Sequence, residues 1–230
     1  PDHSVHHDSP LIDGCLLEHF SGNGVHFEGI LVFTIRHSFI KACGGHAVFV
    51  THGHDGFVLD SWLSNNLGAG YVGEGSTAIT MTGNRVEWNR GGGIVLRGCS
   101  HYNLTGNYID RSGKAGLRLE GTSTIAATGN IIYRSGKAEW ASDDPLDSTH
   151  VRLSDCRGVT FCGNNLVIGR DDRGEGTYSP DYGMVIRNCY ESVVQGNAMS
   201  RCCVKELIVD LGGNGSSFVA DNPGSVIPGT

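Results

Sequence analysis

Ile79-Thr80-Met81-Thr82-Gly83-Asn84-Arg85-Val86 is the stretch on which the fold turns. Apolar and polar residues alternate up to a Gly-Asn pair, and an apolar residue follows two positions after the Asn. The chain then runs through a polar bend into Gly93-Ile94-Val95-Leu96. Alternation of period two in short runs broken by glycine denotes short strands with one face buried. The same pattern recurs along the chain. Gly83-Asn84, Gly106-Asn107 and Gly129-Asn130 are spaced by 23 residues, and Gly163-Asn164, Gly196-Asn197 and Asp221-Asn222 follow at 34, 33 and 25. Backwards from Asn84, Asp60, His37 and Cys15 take the same place at spacings of 24, 23 and 22, making nine turns of one repeat. Val86, Ile109, Ile132, Leu166 and Met199 stand two residues after their Asn, and Gly116-Leu117-Arg118-Leu119 and Gly183-Met184-Val185-Ile186 repeat the second strand.

Composition agrees. Glycine supplies 35 of the 230 residues, about twice the usual share and without a G-X-Y period. Each glycine inside a helix costs about 1 kcal/mol, which excludes a helical bundle, and the evenly spread Val, Ile, Leu and Phe exclude disorder. The net charge of −7 without a basic block speaks against nucleic acid as a partner. No apolar run approaches the ~18 residues of a membrane span. The chain opens on Pro1 with no visible signal peptide, and reads as a processed protein or an excised fragment.

About 23 residues are enough for three short strands and three bends. Copies stacked about 4.8 Å apart make a parallel solenoid. The Gly-Asn-x-apolar ladder with its Gly-apolar-x-apolar strands resembles the right-handed parallel β-helix of the pectin-lyase-like superfamily. That resemblance implies an all-β, single-stranded right-handed β-helix of about nine rungs with three short strands each. On this reading residues 1–11 are an irregular segment, 12–222 the β-helix and 223–230 an exit segment. No amphipathic capping helix is seen, so further N-terminal rungs or a partner subunit are expected. The superfamily includes lyases, hydrolases, epimerases, transferases and phage tail proteins, so the fold alone leaves the activity open.

In a solenoid, equivalent positions form columns, and many suggestive residues have structural explanations. Asn84, Asn107, Asn130, Asn164, Asn197 and Asn222 read as an amide ladder satisfying backbone groups at one bend. Cys99, Cys156 and Cys189 fall in one column and read as small buried thiols. His52-x-His54 places two imidazoles on one face of an extended segment, but no third ligand follows with zinc-like spacing; no metal site is assigned. His52-Gly53-His54 resembles part of the Gly-His-Gly motif of polygalacturonases, whose other motifs are not found in order.

The regularity fails at two consecutive rungs, where insertions at residues 137–149 and 169–182 fall at the same bend. Each carries an Asp-Asp pair: Asp143-Asp144 in the first and Asp171-Asp172 in the second. Sites are commonly built on loops held by a rigid scaffold, and their bases should lie about one strand spacing apart. Asp171, Asp172, Asp143 and Asp144 are the candidate acid, base or nucleophile. Arg134, Arg152 and Arg170 would orient a sugar, with Trp140 and Tyr178 as stacking platforms. Glu87 and Asp110 stand before the same bend on earlier rungs, and Arg118 forms an outward pair with Arg152. Two carboxylates about 5 Å apart would serve retention, and about 6.5–9.5 Å inversion.

The expected function is therefore that of a carbohydrate-active, polysaccharide-degrading enzyme: a glycoside hydrolase or glycosyl-transferring enzyme with a poly- or oligosaccharide lying across the rungs. Leu153-Ser154-Asp155-Cys156 and Asn188-Cys189-Tyr190-Glu191 resemble inulin fructotransferases, which also use a β-helix. One alternative is a uronate polysaccharide lyase, which would bring Ca²⁺ held by acidic oxygens. Another is a non-catalytic glycan-binding or phage tailspike β-helix, to which a homotrimer would be suited. The suspected family favours an extracellular or secreted protein.

Overall fold

A computed structural model describes residues 9–141, 143–168 and 179–227. The chain is a parallel β-solenoid in which each rung contributes one strand to each of three sheets. The first sheet holds nine strands, from Leu11–Asp13 to Phe218–Ala220; the second holds seven, from Leu16–Glu18 to Asn165–Val167; the third holds eight, from Val25–Glu28 to Glu206–Asp210. Within these three sheets the pairings are parallel and in register, so equivalent residues stack. Alternation sets which side chains enter the core. Ile35, Val58, Met81 and Leu104 enter from the first sheet, Ile40, Leu63, Val86 and Ile109 from the second, and Tyr71, Ile94, Leu117 and Val151 from the third.

The amide ladder closes the bend between the first and second sheets. Asn107 Oδ1 accepts from both the backbone N–H and the Nδ2 of Asn84, at 3.1 and 2.9 Å, while Asn84 Nδ2 also donates to the Val58 carbonyl. Asn130, Asn164, Asn197 and Asn222 continue the chain of bonds. Each buried amide is thereby satisfied on both sides. The ladder bears out Cys15 but corrects the expected alignment of the second and third rungs. Ser61 donates its N–H to Asn84 Oδ1, Ser38 to Ser61 Oγ and Cys15 to Ser38 Oγ. Ser61 and Ser38, not Asp60 and His37, therefore continue the Asn column, at an unbroken spacing of 23. Asp60 and His37 instead occupy the column of Gly83, whose φ of 70° is left-handed; they adopt φ of 44° and 48°. Asp and His are among the non-glycine residues that enter this region most readily.

Cys99, Cys156 and Cys189 are buried free thiols at the bend leaving the third sheet. At the C-terminal end, part of the expected exit segment is a strand: Gly224–Val226 pairs with Met199–Cys203. That pairing satisfies backbone groups such as the Met199 N–H, which donates to the Pro223 carbonyl at 2.8 Å.

Candidate functional site

Two clusters of arginine and carboxylate flank the bend between the second and third sheets. On the second-sheet side, Glu87, Asp110 and Tyr133 stack in register on neighbouring strands. Asp110 accepts from Arg134 Nε and Nη2 at 3.1 and 2.8 Å, and from Arg111 Nη1 at 2.7 Å. Glu87 accepts from Arg85 Nε at 2.7 Å. The guanidinium of Arg134 lies 3.9 Å over the Tyr133 ring and that of Arg111 lies 4.2 Å over Trp88. Only 2% of Asp110 and 4% each of Arg134 and Glu87 is exposed. Burial pushes the Asp110 carboxyl above its ordinary value, while the bonds from Arg134 pull it back. Glu87, Asp110 and Arg134 were expected to touch substrate. They are instead buried in the wall, Asp110 with Arg134 and Arg111 and Glu87 with Arg85.

On the third-sheet side the cluster is half open. The first insertion folds into two short 3₁₀ turns, Ala138–Ala141 and Pro145–Asp147. Asp144 caps the second, accepting from the Leu146 N–H at 3.1 Å with Pro145 opening the turn, an N-cap of the usual kind. Its other oxygen accepts from Arg152 Nη1 at 2.5 Å. Arg152 also donates to Asp147 Oδ1 at 2.8 Å, and Arg118 Nη1 donates to Asp147 Oδ2 at 3.0 Å. Arg118 and Arg152 are paired in register on adjacent strands, so two cations stand side by side and the buried Asp147 between them lowers their repulsion. Burial alone would raise the Asp144 carboxyl, but Arg152, the Leu146 N–H and Arg118 outweigh it and hold it below its ordinary value. Arg118 Nε is buried with no acceptor among the described residues.

Beyond this cluster a cavity of about 200 Å³ runs across the outer face of the third sheet, lined by Ala69, Val72, Val95 and Ala115 with His46, Arg97, Lys114 and Arg118. Ala69, Val72 and Val95 pack with Phe49 into a second apolar cluster, although Val72 and Val95 point away from the core. Burial holds the His46 imidazole below its ordinary value, and its Nδ1 accepts from the Ala69 N–H at 2.8 Å. The charged lining of the cavity is therefore Arg97, Lys114 and Arg118.

Of the expected residues, the structure brings Asp144 and Arg152 together, joined through Asp147 to Arg118 of the cavity lining. Asp143 is 85% exposed and lies 3.5 Å from Lys114 Nζ. Trp140 packs on Gly113, where an added Cβ would run into its ring, and carries the cations of Arg90 and Lys137 at 5.2 and 4.7 Å. It anchors the insertion, and a sugar stacking on it would compete with those cations. Asp171, Asp172, Arg170 and Tyr178 lie outside the described residues. Asp147, Lys114 and the apolar floor were missed. The side-by-side arginines at 118 and 152 signalled a missing counter-charge, and the apolar run Ile94-Val95-Leu96 signalled a covered outer face.

No group of three His, Cys, Asp or Glu side chains that could hold a metal converges among the described residues. The oxygens of Asp144 and Asp147 that Ca²⁺ would need face Arg152 and Arg118. Among the described residues, this donor set does not fit the ion. No helix among the described residues is long and apolar enough to cross a membrane.

The profile of the family described as right handed beta helix region matches residues 4–132 and 73–222. No curated protein matches the chain by sequence. Among solved structures, the A-module of a mannuronan C-5 epimerase from Azotobacter vinelandii superposes with a TM-score of 0.74 at 16% identity, over 94% of this chain and 57% of that one. DFA-IIIase from Arthrobacter chlorophenolicus A6, solved in complex with DFA-III, gives 0.62 at 18% identity over 90% of this chain and 45% of its own. The Dettilon tailspike protein gives 0.59 at 13% identity, over 81% and 42%. The chain thus spans about half the length of these neighbours, and the likeness is one of fold.

Proposed function

The chain belongs to the right-handed β-helix family, and on that scaffold we propose that it acts on a poly- or oligosaccharide held in the third-sheet cavity, cleaving it by carboxylate acid–base chemistry. The observation that carries this reading is Asp144, a carboxylate held below its ordinary value by Arg152 and joined through Arg152 and Asp147 to Arg118, which lines a cavity with an apolar floor and a cationic rim. A carboxylate below its ordinary value suits a nucleophile or base, not the acid. The acid is then Asp143 or one of Asp171 and Asp172 from the next rung's insertion. Arg118, which lines the cavity, is the donor to a sugar hydroxyl in this proposal, with Arg152 holding the carboxylates and Trp140, Arg170 and Tyr178 of the two insertions as the further sugar-binding candidates. The glycan chemistry of the epimerase and of DFA-IIIase on the same fold supports a sugar ligand.

The cationic rim of Arg97, Lys114 and Arg118 favours one second reading, lyase action on an acidic sugar. Incubation with a panel of neutral and acidic oligosaccharides, read for new reducing ends and for the ultraviolet absorbance of an unsaturated uronate, separates the two. Reducing ends without absorbance support hydrolysis, and both together support the lyase. Binding with neither would place the protein with non-catalytic, tailspike-like β-helices.

A further inference from the structure

A second groove lies on a different face, at the bend between the first and second sheets near the N-terminal rungs. It measures about 530 Å³, within the range of about 300–1,000 Å³ typical of small-molecule sites. One wall is the outward column of the second sheet, Leu16, Phe39 and Trp62, which stack in register. The rings of Phe39 and Trp62 are 4.7 Å apart and 14° from parallel, and Trp62 is 41% exposed. The opposite wall is the left-handed column in which Gly14, His37, Asp60 and Gly83 succeed one another. Gly83 has no side chain, and the Asp60 carboxylate occupies the space a Cβ there would take. Asp60 has no hydrogen bond or ion pair to its side chain among the described residues. His37 is drawn away to Asp13 at 3.1 Å. An unpaired acceptor therefore faces an aromatic wall across a groove that runs along the rod, a wall that Arg85 completes 5.4 Å over the Trp62 ring while Lys41 lies 4.9 Å over Phe39.

The geometry points to a second, non-catalytic glycan site here, in which a neutral linear oligosaccharide lies along the groove with its C–H edges against Phe39 and Trp62 and its hydroxyls donating to Asp60. Linear sugars are amphipathic in this sense, apolar on ring faces and polar at the rim, and aromatic side chains receive the apolar part. A hydroxyl donating to an ionised acceptor makes the stronger class of hydrogen bond. The repeat of the wall, one position per rung, suits a repeating ligand over a compact one. A second copy of the chain is the competing occupant of an exposed aromatic surface.

The three tryptophans report separately, because Trp62 stands in this groove and Trp140 packs on Gly113, next to Lys114 of the third-sheet cavity. Indole N–H signals, assigned by single Trp→Phe variants of the whole chain, are followed during titration with cellohexaose, maltohexaose and xylohexaose. The expected result is a saturable shift of the Trp62 signal at millimolar sugar. Trp62→Ala and Asp60→Asn, read by calorimetry, each weaken that binding about tenfold, as loss of one ring contact or one charged acceptor would. Asn tolerates the left-handed backbone at least as well as Asp, so Asp60→Asn leaves the thermal midpoint unchanged and isolates the acceptor. A Trp62 signal unmoved by all three sugars overturns the proposal. So does a shift that survives Asp60→Asn undiminished, or one that follows protein concentration without sugar, which would make the face a contact between copies. Shifts confined to Trp140 overturn this site while leaving the third-sheet reading intact.

Discussion

Asp110 with Arg134 and Asp144 with Arg152 are the same chemical pair placed on the two sides of one bend. Asp110 is 2% exposed and receives three guanidinium bonds. The Asp144 side chain is 39% exposed and receives one, plus a backbone N–H. The first pair follows from the regular repeat, since 24 residues separate Asp110 from Arg134 and stacking brings them together. The second exists only because an insertion interrupts the repeat and lowers a carboxylate onto an outward arginine. Regularity produces sealed, self-satisfied charge, and interruption produces charge that a ligand can reach.

The sharpest way to break the comparison is to remove one partner from the sealed side. Asp110→Ala leaves Arg134 buried without its main counter-charge and should cost about 3–5 kcal/mol of stability, read as a fall in the urea midpoint. A loss below 1 kcal/mol would show that solvent reaches this cluster after all.

A pH titration extends the contrast. His150 is fully buried, donates from Nε2 to the Cys202 carbonyl at 2.9 Å, and burial lowers it to about 4. The folded protein therefore binds fewer protons than the unfolded chain between that value and the model-peptide value of about 6.5. Stability should be full above pH 6.5 and fall as pH drops towards 4, by about 3 kcal/mol in all. His150→Gln should flatten that slope; a slope unchanged in the variant would assign it elsewhere. The stabilisation from Asp144, whose carboxyl is lowered from 3.8, persists until the pH falls below that ordinary value.

Asp147 stands between the two regimes, buried yet bonded to both Arg118 and Arg152. Asp147→Asn should cost about 2 kcal/mol, because each arginine keeps part of its bonding. Activity should suffer with it, as Arg152 would no longer be fixed against Asp144. The smallest effect on stability belongs to Asp144→Asn, within about 1 kcal/mol for so exposed a pair.

Most of the fold was legible because a solenoid writes each rung in the same letters. The Gly-Asn pairs and the apolar residue two positions later, Val86 or Ile109, needed no long-range information. The second and third rungs were misaligned by one position because serine, with a single oxygen, replaces asparagine at 38 and 61. The site was legible only in part. Asp143 and Asp144 were marked by the length of their loop, and Arg152 by its outward pairing with Arg118. Glu87, Asp110 and Arg134 carried the same residue types, and nothing local distinguishes an outward charge left in water from one sealed by the rung above. Asp147 was overlooked because its role depends on Arg118, 29 residues away.

The most direct test of the account is turnover by Asp144→Asn on an oligosaccharide that the wild-type chain cleaves, measured with binding of the same sugar by calorimetry. The account predicts binding within about threefold of wild type and turnover reduced by about 10²-fold or more, the scale of a lost acid–base group. Turnover equal to wild type in that variant would contradict it and remove the third-sheet cavity as the place of chemistry.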